Sequence, residues 1–228
     1  MPEPIPIIGG TGALGWGLAM RLARADQSVV IGSRSPERAG EAVARLRRAA
    51  PDAAAEGLVN EEAARRGPVV FLTVPFRAQA ENLNNLRDVL EEGQLLVDCT
   101  VPTAAAVSGK ATRSLGVWQG SAAQQAQEMV PDGVRVVAAL HTISAQALGD
   151  PEAQLDEDVL ICGDRKADKA RVARLVELIP GLRAVNAGSL EMARIVEQLT
   201  LLLISINARY RTQAGIRVTG LPEGAPWE

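Results

Sequence analysis

The chain is poor in the residues that most often announce chemistry. Its 228 residues include one histidine, two cysteines, one tyrosine, two phenylalanines and three tryptophans. Its only lysines are Lys110, Lys166 and Lys169. Cys99 and Cys162 are too few for a disulfide framework, and each lies in or at the end of an apolar run, so both read as reduced core residues. Neither sign of charge dominates: 24 basic against 27 acidic residues leave a net charge of −3 and a pI near 5.4. Nucleic acid and anionic membranes are therefore not expected as partners. The longest apolar stretch, Leu199 to Ile206, is broken by Thr200 and Ser205 and falls far short of the ~20 residues that span a bilayer. The first residues carry no basic start and apolar run of a secretory signal. A soluble, cytoplasmic protein without a metal is the expectation.

What remains is ordinary globular composition, 47% hydrophobic and 22% charged, long enough for one large domain or one domain with a small appendage. Short β-branched runs alternate with Ala- and Arg-rich helical segments, the pattern of βαβ units and a parallel sheet. Strands are expected at Ile5 to Gly9, Ser28 to Gly32, Val69 to Val74, Leu95 to Cys99, Val134 to Leu140, Val159 to Cys162 and Arg183 to Val185. Helices are expected at Leu14 to Arg24, Arg38 to Ala49, Glu61 to Arg65, Gln79 to Leu90, Ala122 to Met129 and Ala167 to Ile179. The rhythm then changes. From Ser189 to Tyr210 apolar residues recur at helical spacing over a stretch too long for a crossover element. The fold class is thus α/β, a Rossmann-type doubly wound and mostly parallel sheet over residues 1–187, with a small helical domain over 188–228. The Gly- and Pro-rich stretch from Val218 to Glu228 reads as a loosely packed tail.

Gly10-Thr11-Gly12-Ala13-Leu14-Gly15 follows an apolar strand and opens a helix. In that setting the glycines let the backbone turn tightly and approach a pyrophosphate, while the helix start offers free N–H groups. The second strand ends where NAD-binding chains usually place an acid for the ribose 2′-hydroxyl, yet Ser33 and Arg34 stand there. A hydroxyl and a guanidinium donate to a 2′-phosphate that a carboxylate would repel, so NADP(H) is the expected cofactor. Arg38, a turn further on, can face the same phosphate or simply solvent. Other strand ends, at Thr73-Val74-Pro75, Asp98 to Pro102 and His141-Thr142-Ile143, mark the sheet edge where ligands bind. A lone histidine at a strand end is, by position alone, more often a loop residue than a catalyst.

Missing pairs exclude two dehydrogenase classes. Tyr210 is followed four residues on by Ala214, so the Tyr-Lys pair of short-chain dehydrogenases is absent, and no lysine stands on the long C-terminal helix where a 3-hydroxy-acid dehydrogenase needs one. With one histidine and no carboxylate pair, the site reads as one for a hydride transfer without a strong acid or base.

Gly9 to Gly15, Gly32-Ser33-Arg34, Leu72 to Pro75, Ala139 to Ile143 and Val196 to Thr200, in that order and spacing, resemble the NADPH-dependent reductases of coenzyme F420. The resemblance runs from Ile5 to about Gly215. It implies reversible hydride transfer between NADPH and the deazaflavin F420 as small-molecule co-substrate, on a Rossmann domain with a C-terminal unit that helps form a homodimer. By position it implies that Thr11, Ser33, Arg34 and Arg38 hold the 2′-phosphate end and that Val74 and Pro75 border the nicotinamide. His141, Ile143 and Thr200 would flank the deazaflavin ring, with Ile143 setting the distance between the rings by shape. Trp16 and Gln198 depart from the family pattern. The apolar face of the long helix, with Val196, Leu199, Leu203 and Ile206, is expected either to close a core or to meet a symmetry mate. Two further readings stay open: an NADPH-dependent reductase of another acceptor, flavin or ferric as in cytosolic metalloreductase domains or imine as in pyrroline-carboxylate reductases, and an NADPH-binding regulator without turnover.

Overall fold

The structure, a computed structural model, describes residues 3–222 and 227. Strands β1 (Ile5–Ile8), β2 (Val29–Ser33), β3 (Ala55–Val59), β4 (Val69–Leu72), β5 (Leu95–Asp98), β6 (Arg135–Ala138), β7 (Glu157–Cys162) and β8 (Leu182–Gly188) form one sheet in the order β3-β2-β1-β4-β5-β6-β7-β8. Every neighbouring pair is parallel except β6 and β7, which meet antiparallel through Ala138 and Cys162. The chain reverses its order at β1, between β2 and β4, which opens a crevice at the carboxyl edge.

Helices α1 (Ala13–Arg24), α2 (Pro36–Ala49), α6 (Ala145–Gly149) and α7 (Lys166–Glu177) cover one face. There Leu18, Leu22, Leu46 and Val172 bury against Ile7, Ile31 and Phe71. Helices α3 (Asn60–Ala64), α4 (Gln79–Leu86), α5 (Ala122–Met129) and the start of α8 (Ala193–Tyr210) cover the other. Ala63, Leu83, Leu86, Ala126 and Val196 pack there on Ile8, Val70 and Leu96. Strands buried on both faces explain the unbroken apolar runs that replace a two-residue alternation.

Several expected boundaries move for local reasons. Gly9 takes φ +75 and Leu140 φ +67, so β1 and β6 end before them rather than running to Gly9 and Leu140. Serine 35 caps α2, its Oγ accepting from the Arg38 N–H at 3.3 Å with Pro36 at the first turn, so the helix begins before Arg38. Strand β3 and helix α6 were not expected. The β3 sequence, AEGLV, has a single β-branched residue and pairs only with β2 at the sheet edge, so it carries no strand periodicity. The tail expected from Val218 onward lies partly outside the described residues.

Candidate active site along the carboxyl edge

The glycine loop is shaped by contacts that exclude side chains. A Cβ on Gly10 would meet the Ile7 carbonyl oxygen at 2.8 Å, and one on Gly15 would press into Thr73 Oγ1. The Thr73 hydroxyl donates to the Ile8 carbonyl at 2.8 Å, which ties β1 to the end of β4 beneath the loop. Helix α1 starts at Gly12 with no side-chain cap and no acid in its first turn, so its N–H groups and partial positive charge are free for an anion.

A cavity of about 450 Å³ lies beside this loop, lined by Thr11, Ser33, Arg34, Ser35 and Arg38 on one side and by Asn60 and Asn82 on another. None of its lining residues is acidic. Ser33 is buried and its Oγ accepts from the Ser35 N–H at 3.2 Å, which leaves the hydroxyl proton for a ligand. Arg34 and Arg38 are exposed at the rim. Asn60 accepts from the Gly9 N–H at 3.4 Å and donates to Asn82 Oδ1 at 3.0 Å, bracing the loop from below.

Gly12, Thr73, Val74 and Pro75 are shared with a second cavity of about 400 Å³, which continues along the edge to Ala13, Leu14, Cys99, Thr100 and Val101. A buried polar network fixes this end. Asp98 accepts from the Thr100 N–H at 2.9 Å, from the Thr100 hydroxyl at 2.8 Å and from Gln79 Nε2 at 2.8 Å. Gln79 Nε2 also reaches the Ala122 carbonyl at 2.9 Å. The Glu197 carboxylate of α8 accepts from the Ala122 and Ala123 N–H groups at 3.0 and 3.2 Å, and so caps α5 from another helix. Burial pushes the Asp98 carboxyl up to about 6 and that of Glu197 up to about 8, against the pull of their donors. Two carboxyls thus lie behind the site, each buried and held by its own internal donors rather than paired for acid–base work. Asp98, at the end of the LLVD strand, and Glu197, on the buried side of α8, carry no sequence signal for this bracing role.

His141 sits in the turn after β6, set by the left-handed Leu140. The Thr200 hydroxyl on α8 donates to the His141 carbonyl at 2.8 Å, so these two residues of distant sequence meet. The imidazole is 4% exposed, both ring nitrogens lack a partner, and burial lowers its pKa to about 4. It is therefore neutral at physiological pH. Ile143 is buried in the core cluster of the α1 face with Leu140 and Leu148, so its side chain is held by packing. His141, Ile143 and Thr200 stand at the same sheet edge but line neither cavity. Gln198, one of the departures from the family pattern, donates to Ser114 Oγ at 2.7 Å.

The lining residues fit a phosphorylated dinucleotide stretched from Ser33 to Thr100, and comparison with known proteins decides the family. A family model for coenzyme F420-dependent NADP oxidoreductases matches residues 4–102, from just before β1 to just beyond β5. The F420-dependent NADP reductase of Methanothermobacter thermautotrophicus is 43% identical over 227 residues, covering 98% of this chain and 97% of the relative. The chain belongs to the F420-dependent NADP reductase family. Another F420-dependent NADP reductase, from Methanocaldococcus jannaschii, is 37% identical over 95% of the chain and 98% of its own length. Rat metalloreductase STEAP3 is 32% identical over 90% of the chain, which spans only 38% of that protein. A solved structure from Arthrobacter sp. FB24, whose description names an F420-dependent NADP-reductase, superposes with a TM-score of 0.72 at 24% identity, covering 92% and 96% of the two chains, and shares the fold. Among the described residues of this family member, no helix is long and apolar enough to cross a membrane.

Proposed function

We propose that this chain is an oxidoreductase that moves a hydride reversibly between NADP(H) and coenzyme F420. The observation that carries the nucleotide half is the acid-free cavity lined by Ser33, Arg34 and Arg38; similarity to F420-dependent NADP reductases along nearly the whole chain supports the acceptor. Thr11, Ser33, Arg34 and Arg38 would hold the 2′-phosphate, while Gly10, Gly12, Ala13, Leu14 and Gly15 would cradle the pyrophosphate at the start of α1. Val74 and Pro75 would border the nicotinamide. The bound coenzymes supply hydride exchange between two ring carbons.

The protein's part is positioning. The two carbons must come within about 3 to 3.5 Å, and such alignment supplies up to ~7 to 11 kcal/mol of barrier lowering. Val74, on the shared wall of both cavities, and Thr100, locked by Asp98 and Gln79, would set the nicotinamide plane. His141, neutral and unpartnered, lies buried behind this edge and would reach a ring carbonyl only once the bound ring displaces what covers it, with Ile143 as a packed spacer and Thr200 fixing the turn. No strong acid is required of it, which suits an imidazole whose protonation is suppressed by burial.

We also assign the sheet and its crossover helices to nucleotide binding and the segment built on α8, after β8, to a small C-terminal unit that pairs two copies as a homodimer in the cytoplasm. The residues of the apolar face of α8 divide between the two roles open to it, core closure and pairing. Val196 and Leu203 are buried within the chain, whereas Ile195 and Leu202 are half exposed, so these two, flanking Leu199, present the free apolar surface of α8. The catalytic proposal is tested by mixing the protein with NADPH and, separately, oxidised F420 or a flavin, while following the absorbance of donor and acceptor. Matched loss of NADPH and F420 absorbance is expected; turnover with the flavin alone would overturn the acceptor assignment.

A further inference from the structure

A third cavity, of about 580 Å³, adjoins the 2′-phosphate corner and shares Thr11 and Arg38 with it. Its other walls include Trp16, Glu41, Arg45 and Arg48. Residues 38, 41, 45 and 48 recur on one side of α2, so three guanidiniums face the cavity against a single carboxylate. They are not interchangeable surface arginines. Arg47, between two of them, donates to the Ala55 carbonyl of β3 at 3.0 Å and belongs to a different face. Arg45 sits over the Trp16 indole, its Cζ 3.6 Å from the ring centroid, a cation–π contact that holds the guanidinium at the cavity wall. The indole itself is 6% exposed and its Nε1 has no partner. The far edge of Trp16 faces the last residue of α6: a Cβ added to Gly149 would stand 3.8 Å from its Cε3 and Cζ3. The indole therefore separates this basic cavity from the C-terminal end of α6, a helix only ~7.5 Å long whose first residue follows Ile143 by two positions.

In the proposed binding mode Ser33, Arg34 and Arg38 would meet the 2′-phosphate and the start of α1 the pyrophosphate, which leaves Arg45 and Arg48 on the adjoining wall for a different anionic group. Deazaflavin coenzyme F420 carries one: a phosphate followed by glutamate carboxylates on a flexible tail. We propose that Arg45 and Arg48, set on the Trp16 platform, bind this anionic tail while the ring occupies the corner beside His141. This assignment rests on the proposed acceptor and adds its tail subsite.

The test compares F420 with its tail-less alcohol, the bare 8-hydroxy-5-deazariboflavin, by equilibrium titration of each deazaflavin's fluorescence against the wild type and the Arg45→Gln and Arg48→Gln variants. A third titration with 2′,5′-ADP reports the nucleotide corner. Each variant is expected to weaken F420 about tenfold or more, the loss of a charge-assisted hydrogen bond, and to leave the tail-less compound and 2′,5′-ADP within about twofold. Unchanged F420 affinity, or equal loss for both deazaflavins, overturns the tail subsite. Loss confined to 2′,5′-ADP overturns it as well, assigning both arginines to the nucleotide. A wild type that holds 2′,5′-ADP but neither deazaflavin overturns the acceptor itself, and the subsite with it. Arg48, which makes no stack with Trp16, keeps the test valid should Arg45→Gln disturb the indole.

Discussion

A 2′-phosphate brings up to two negative charges against Ser33 and Arg34, in a cavity with no carboxylate on its walls. Replacing Arg34 by Gln should weaken NADPH by about tenfold to a hundredfold, the range for one charged hydrogen bond, while NADH changes little; parallel titrations with the two nucleotides read the difference. A second expectation concerns Glu197. Its carboxyl is raised from 4.5 to about 8, chiefly by burial, so the folded state binds its proton more tightly than the unfolded chain does. That contribution to stability is fully present below the ordinary carboxylate range and is lost as pH rises through about 8. The Glu197→Gln variant removes this dependence, so its stability relative to the wild type, read from paired melting curves, should rise between pH 5.5 and 8.5, at no more than ~1.4 kcal/mol per pH unit. Parallel melting curves against pH would contradict the buried-acid account. Asp98, raised to about 6, adds a slope of the same sign to both proteins. Ser33 and Arg34 were legible in the sequence because they follow a strand at a fixed offset from a glycine motif. Asp98, Gln79 and Glu197 were not, since their partnership depends on three elements meeting in space.

Among the elements, α8 does two things at once. Ala193, Val196 and Glu197 turn inward, whereas Ile195 and Leu202 remain half exposed. A Leu202→Glu variant should sediment as a 24.0 kDa monomer at micromolar concentration where the wild type sediments at twice that mass, with a melting temperature that no longer depends on protein concentration, because Leu202 buries little within its own chain and only the stabilisation by association is lost. The sequence identified the helix and its apolar stripe but left open whether Val196 and Leu203 close the core or meet a second copy, since helical periodicity gives a stripe and not the direction in which the sheet lies; both turn out buried within the chain. Short elements fared worst for a similar reason. Helix α6 spans five residues, too few to display a period, yet Arg21 of α1 donates to its Leu148 carbonyl at 3.1 Å and to Asp150 just beyond at 2.6 Å. Tertiary contact rather than propensity holds it.

For the whole molecule, the alternation of strand and helix was sufficient to reveal a doubly wound sheet, because fully buried parallel strands leave long apolar runs that few other arrangements need. The antiparallel entry of β7 was not legible, as direction depends on where the connection through α6 turns back. A ligand that bridges both sides of the crevice and binds only the folded chain stabilises all of it by mass action. NADPH at a hundred times its dissociation constant should therefore add about 2.7 kcal/mol and raise the melting temperature by roughly 5 to 10 °C for a chain of this size. NADH at the same concentration should raise it much less. Scanning calorimetry with each nucleotide measures both shifts.

The bond from the Thr200 hydroxyl to the His141 carbonyl also imposes an order in time. During synthesis the strands of the nucleotide crevice, β1 to β5, leave the ribosome well before α8. The turn that carries the single imidazole thus receives its anchor only near the end of translation, after every residue that lines the dinucleotide crevice has been made.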